Sequence, residues 1–228
     1  MRKIAIYQIL TRLYGNTNRT KRKHGTIEEN GCGKMNDINE VALNSIASMG
    51  FSYVWYTGII RHASTTNYSY ISHPANANVV KGKAGSPYAI CDYYDVDPDL
   101  AVDVDAREEE FLSLVDRTHT AGLKVIIDFV PNHVARNYFS DKEPQRPMLG
   151  QEDCPEWHFA QNNNFYYMVG QTFSSPEKGL DVEYVENPAK ASGNDAFTAT
   201  PSRNDWYETV KLNYGIDYRD GSCHFAPI

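Results

Sequence analysis

Up to about residue 130, apolar positions recur along this chain with the periods of strands and helices; beyond it they lose any regular period. Residues 3–10, KIAIYQIL, carry Ile4, Ile6 and Ile9 in a short apolar run that predicts a first strand. Residues 11–33 are polar and Gly-containing, a loop whose basic cluster at 21–24 reads as a solvated face. Asn36 is placed to cap a helix over residues 37–49, with Ile38, Ala42, Ile46 and Met49 on one face and Gly50 as its stop. Residues 52–57, SYVWYT, predict a second strand. A long polar loop over 61–86 follows, and loops of that length inside compact domains tend to be functional. Asp105 is placed to cap a further helix, with Glu108 completing a capping box and Phe111, Val115 and Thr118 facing inward. Residues 124–130 predict a third strand. Its run is continuously apolar rather than alternating, which fits a parallel strand covered on both faces.

That third strand carries the one stretch with evident chemistry, Gly122 to His133, GLKVIIDFVPNH. Asp128 interrupts an otherwise apolar strand, and a buried carboxylate is costly unless it is paired or hydrogen-bonded. Pro131 ends the strand because it has no N–H for the ladder. Asn132 and His133 follow directly. An acid, an amide and an imidazole therefore gather at the carboxyl end of a parallel strand, where α/β folds place their sites. From spacing alone, a satisfied core Asp followed by a polar turn explains the stretch equally well.

Composition narrows the classes. Hydrophobic residues make up 41%, enough for a core, and the net charge of −7 argues against a nucleic acid or an anionic membrane surface as partner. The four cysteines contain no C-x-x-C pair, so a thiolate zinc site is disfavoured, and nothing in their spacing asks for disulfides. The N-terminal apolar stretch is too short for a secretory leader, which makes a cytoplasmic location the expectation, short of a leader already removed. The 16 Tyr, nine Phe and three Trp suit sugar faces, although by composition alone they more simply fill a core.

With its flanks, the box Asp128, Asn132, His133 resembles the third barrel strand of the alpha-amylase family of glycoside hydrolases. The flanks are the helix EEEFLSLVDRTHTAG before it and IASMGFSYVWYTGII further back. The resemblance implies an α/β fold, the N-terminal portion (strands 1–3) of a (β/α)8 TIM barrel over residues 1–134. An irregular α+β insertion, the family's B domain, would then occupy 135–228. It also implies a retaining glycoside hydrolase acting on α-1,4-glucans such as starch and maltooligosaccharides. Tyr88, in S-P-Y-x-x-x-D-Y with Asp92 and Tyr93 behind it, matches the family tyrosine that stacks under the sugar beside the cleaved bond. His133 matches the donor to that sugar's hydroxyl. Asp128 matches a structural site acid held by an Arg of the fourth strand; with that Arg missing here, Asp128 is expected to be poorly satisfied. Asn132 matches a calcium ligand, and calcium is the one cofactor implied. Trp206, Tyr207 and the Leu212–Asn213–Tyr214 run resemble the segment that closes the insertion, with Asn213 as a further substrate-binding residue.

The run Trp157, His158, Asn162, Asn163, Asn164, Phe165, Tyr166, Tyr167 suits neutral sugars, and suits equally the core and turns of a small domain. The family's nucleophile and acid, on the fourth and fifth strands, have no counterpart in residues 1–228. The expected partners are therefore an α-glucan and the remaining barrel half, and the chain alone is expected to be inactive. Two other readings compete. One is a non-catalytic carbohydrate-binding protein of α/β fold. The other is an unrelated doubly wound α/β domain, weakened because no G-x-G-x-x-G or G-x-x-x-x-G-K-[ST] occurs.

Overall fold

The computed structural model describes residues 4–224. Lys3, which opens the expected first strand, and Pro227 and Ile228, at the end of the expected insertion, lie outside them. The chain divides into two compact units, Met1–His62 with Tyr93–Phe129, and Ala63–Asp92 with Val130–Ile228.

The first unit is built on a three-stranded parallel sheet in the order β1 (Ile6–Leu10), β2 (Tyr53–Thr57), β5 (Lys124–Ile127). The register sets Ile9 beside Tyr56 and Val54 beside Val125, so one face collects Ile9, Val54 and Tyr56. That face meets the helices α2 (Glu40–Ser48) and α3 (Arg107–Thr120) through Leu43, Ile46 and Leu114, all buried. Tyr56 ties strand to helix: its hydroxyl lies 2.6 Å from Thr118 Oγ1, which itself donates to the Leu114 carbonyl. The opposite face is open among the described residues. Ile6 is 46% exposed, and Phe129, just past β5, 73%. The continuous apolar run of the third strand predicts two covered faces; one is covered.

Helix starts differ from expectation. The cap of α2 is Asn39, whose Oδ1 accepts from the Ala42 N–H at 3.1 Å. Asn36 sits instead in a 3-10 turn, Met35–Asp37, closed by Asp37 accepting from the Lys34 N–H. At α3 the N-cap is Ala106, with no side-chain cap bond. Glu110 supplies the anion by reaching back to the Val102 and Asp103 N–H groups. The 11–33 loop contains one helical turn, α1 (Ile27–Asn30), held by a Thr26/Glu29 capping box.

Two short strands, β3 (Ile60–His62) and β4 (Ile90–Val96), pair with each other; β4 belongs to the first unit from Tyr93 onward. Behind them the first unit buries a charge network. Arg12 reaches Asp99 at 2.8 Å, His62 Nδ1 reaches Asp97 at 2.9 Å, and Arg107 reaches Asp95 at 2.6 Å.

The second unit has no helix longer than a 3-10 turn among its described residues. Its strands are two or three residues long: β6 (His133–Ala135) antiparallel to β9 (Thr209–Lys211), β7 (Tyr167–Met168) to β8 (Ala189–Lys190), and β10 (Ile216–Asp217) to β11 (Ser222–Cys223). The expected boundary after residue 134 falls inside β6. Tyr166, Met168, Phe173 and Ala189 form its core beside Val79. Arg136 is the hub. It pairs with Glu186 at 2.6 Å, donates to the Tyr207 carbonyl and Ser192 Oγ, and lies 3.8 Å over the Phe173 ring. Strands this short leave much backbone outside ladders, and side-chain bonds of this kind hold it. All four cysteines are free.

Candidate functional site

Four of the five expected site residues fall in the second unit. Asn132 and His133 enter β6, and their backbone is clamped by the chain leaving β9. Leu212 N–H donates to the Asn132 carbonyl at 3.1 Å, and the Tyr214 hydroxyl donates to the Pro131 carbonyl. The pairing sets His133 opposite Lys211. Gly193 is needed beside it, since a Cβ there would stand 2.8 Å from His133 Cβ and 2.4 Å from Thr209 Oγ1.

His133 and Tyr88 meet. His133 Nε2 lies 3.1 Å from the Tyr88 carbonyl oxygen. A carbonyl only accepts, so Nε2 carries the proton in this contact. The ring is buried, 4% exposed, while Tyr88 is 39% exposed on its turn. Burial pushes the His133 imidazole below its ordinary value; the Tyr88 carbonyl opposes this and Lys211 adds to it. The ring is therefore neutral at pH 7. The resemblance casts His133 as a donor to a sugar hydroxyl, but here the Nε2 proton already faces Tyr88. A hydroxyl arriving at Nε2 would have to share that bond or displace it. Asp92, four residues after Tyr88, is fully buried and accepts from the Asp141 N–H at 3.0 Å.

Asn213 is committed to the scaffold. Its Nδ2 donates to the Ala160 and Asn163 carbonyls, both at 2.9 Å, and its Oδ1 accepts from the Gly215 N–H at 2.8 Å. Asn132 is exposed and offers one side-chain oxygen. Calcium takes six to eight oxygens. Among the described residues no group of three or more His, Cys, Asp or Glu could hold a metal ion. Asn132 by itself supplies one of the oxygens such a shell needs.

Asp128 belongs to the first unit, and there the expectation of a poorly satisfied acid is corrected. Trp55 Nε1–H donates to Oδ1 at 2.9 Å and the Gly58 N–H lies 3.3 Å from Oδ2. An indole and a backbone amide take the part for which an Arg was expected.

The amide-and-aromatic run resolves mostly as core and turns. Phe165, Tyr166 and Tyr167 are buried, and Asn163 bonds both the N–H and the carbonyl of Cys154. Trp157, at 63% exposed, and Asn162 are the exposed members of the run. The reading from sequence missed Gly193, which backs His133 and belongs to no motif, and it named Tyr214 only within the closing Leu212–Asn213–Tyr214 run, without its bond to the Pro131 carbonyl.

The first unit thus holds a parallel sheet with Asp128 just past its third strand, and the second holds the contact between His133 and Tyr88. The family model described as alpha amylase, catalytic domain, matches residues 8–208. The chain belongs to the alpha-amylase family. Among solved structures it is similar to the debranching enzyme from Nostoc punctiforme, with a TM-score of 0.51 and 20% identity over 93% of this chain and 36% of that one. It is also similar to an alpha-amylase from Lactobacillus plantarum (TM-score 0.48, 21% identity, 93% and 32% covered). A noncanonic maltogenic alpha-amylase, AmyB from Thermotoga neapolitana, matches at TM-score 0.40 and 26% identity, over 62% of this chain and 26% of that one. The chain thus spans about a quarter to a third of the length of these proteins. Among curated protein sequences nothing matches.

Proposed function

We propose that the chain is the N-terminal part of an alpha-amylase-like glycoside hydrolase that cleaves α-1,4-glucans with retention of configuration. In this reading Tyr88 and His133 shape the subsite of the sugar beside the cleaved bond. The observation that carries it is the 3.1 Å contact between His133 Nε2 and the Tyr88 carbonyl. Two residues 45 positions apart, singled out by separate motifs, meet in one place with Tyr88 still exposed. A tyrosine ring offers a flat apolar face to the C–H side of a pyranose, and a neutral imidazole beside it suits an uncharged ligand. Retention requires a nucleophile and an acid about 5 Å apart. In the proposal both come from parent segments other than residues 1–228, whose strands also cover the open face of the sheet.

The purified 228-residue chain is then expected to bind maltoheptaose weakly and to release no reducing sugar from starch. Tyr88→Ala should weaken binding by about tenfold, the loss of one ring contact worth about 1.4 kcal/mol. Starch hydrolysis by the chain alone would refute the assignment of the catalytic carboxylates elsewhere. Binding without hydrolysis in the full-length parent would favour a non-catalytic carbohydrate-binding protein. Calcium enters only as an ion whose other ligands the parent supplies beside Asn132. Adding it should leave the chain's unfolding midpoint unchanged.

A further inference from the structure

Trp206 lies against the buried His133 ring, with centroids 5.2 Å apart and planes at 59°. Yet the indole is 42% exposed, whereas its neighbour Tyr207 is 2% exposed. The backbone that presents it is fixed on both sides. Trp206 N–H donates to Asn194 Oδ1 at 3.1 Å. Its carbonyl accepts from the Thr209 N–H at 2.9 Å and from Thr209 Oγ1 at 2.8 Å. Thr209 Oγ1 in turn accepts from Gly193 N–H at 3.2 Å, and Gly193 is the residue pressed against His133. One turn over residues 193–195 thus sets both rings: Gly193 backs the imidazole and Asn194 holds the indole's main chain. These bonds fix the main chain that carries the indole, and the ring itself rests against His133, so the exposed face is partly pre-organised for a partner.

The charges nearby say what kind of partner. Lys81 lies 3.5 Å from Glu208 and donates to the Asp205 carbonyl at 2.9 Å, and Lys211 pairs with Asp195. Asp205 accepts from Asn194 Nδ2 at 2.9 Å. These cations already have anionic or carbonyl partners, which disfavours a phosphate or carboxylate ligand. What remains is a flat aromatic face among balanced charges, chemistry suited to a neutral sugar.

We infer that Trp206 is a second stacking platform of the same glucan site, holding a glucosyl unit next to the one over Tyr88. This rests on the reading in the preceding section and adds a specificity residue to it. With Tyr88 and Trp206 both exposed and His133 joining them, the site grips consecutive units of one chain, and ligands of two or more units gain over glucose.

The test is calorimetric titration of the 228-residue chain with glucose and with maltoheptaose. Wild type is compared with Trp206→Ala, Trp206→Phe and Trp157→Ala. The expected result is maltoheptaose binding weakened about tenfold by Trp206→Ala, largely restored by Trp206→Phe and unchanged by Trp157→Ala. A second readout on the wild type needs no mutant to fold. The three indole N–H resonances are followed by 15N NMR, and Trp206's is expected to shift with maltoheptaose while Trp157's stays. If Tyr88→Ala weakens binding while Trp206→Ala and the Trp206 resonance are indifferent, the inference fails and the glucan site stands. If the wild type takes up no maltoheptaose at millimolar concentration, both fail together.

Discussion

His133 is neutral in the fold because water is kept from it, and that has a measurable sign. In an unfolded chain a histidine titrates near ~6.5; in the fold, burial and the Lys211 charge leave it lower, against the opposing pull of the Tyr88 carbonyl. Between the two values the unfolded chain binds the extra proton, so stability falls as pH drops through about 6.5 and levels off below the folded value. His133→Gln should abolish that fall, and urea midpoints at pH 7.5 and 5.5 would expose an unchanged slope. Gly193 gives a second residue-scale prediction. Gly193→Ala places a methyl group against His133 and Thr209 and should cost about 1–3 kcal/mol by overpacking, read from the same urea curves. Tyr88, Asn132 and His133 could be found from sequence because each sits in a short motif. Gly193 could not, since its importance is a contact with a residue sixty positions away; Trp206 was singled out only as part of the segment that closes the insertion, and no local pattern encodes its contact with His133.

Elements were legible where local chemistry alone decides them. The strands at 6–10, 53–57 and 124–127 and the helices after residues 39 and 106 follow from apolar period and from Gly50, whose φ of +90° ends α2. Caps were less legible, because Asn36 and Asn39 are both good candidates. The choice fell to Asn39 once Asp37 had closed its own turn on Lys34. Asn39→Ala should therefore destabilise the first unit by about 1 kcal/mol, and Asn36→Ala by less. A thermal unfolding series that ranks them the other way would contradict the assignment. In the second unit, Arg136 does what long ladders do elsewhere. Arg136→Ala leaves Glu186 buried without its guanidinium partner and should cost about 3–5 kcal/mol, seen as early loss of near-ultraviolet circular dichroism.

At the scale of the whole molecule, two features govern behaviour in solution. Among the described residues, β1 and β5 have no outer partner, and Ile6, Leu10 and Phe129 are exposed on or beside the sheet. Open strand edges with apolar neighbours invite pairing with other copies. Sedimentation of the 228-residue chain should show concentration-dependent self-association, and a single monomeric species at high concentration would count against it. The buried network of the first unit sets the acid limit. Burial raises the Asp97 carboxyl, but His62 and Arg12 more than reverse that and hold it below its ordinary value. Its contribution is present above about pH 4 and is lost as pH falls through the folded value, so the first unit should unfold on acidification below that point.

The sequence by itself determined the family, the three strands and their helices, and the two motif residues that meet, Tyr88 and His133. These depend on periodicity and on short motifs, which are properties of neighbours in the chain. Only the tertiary structure decided that Trp55 and Gly58 satisfy Asp128, that Asn213 serves the scaffold, and that Trp206 stands exposed against His133. Each of those depends on which hydrogen bonds and ring faces remain free after folding, and that is settled by residues distant in sequence competing for the same atoms.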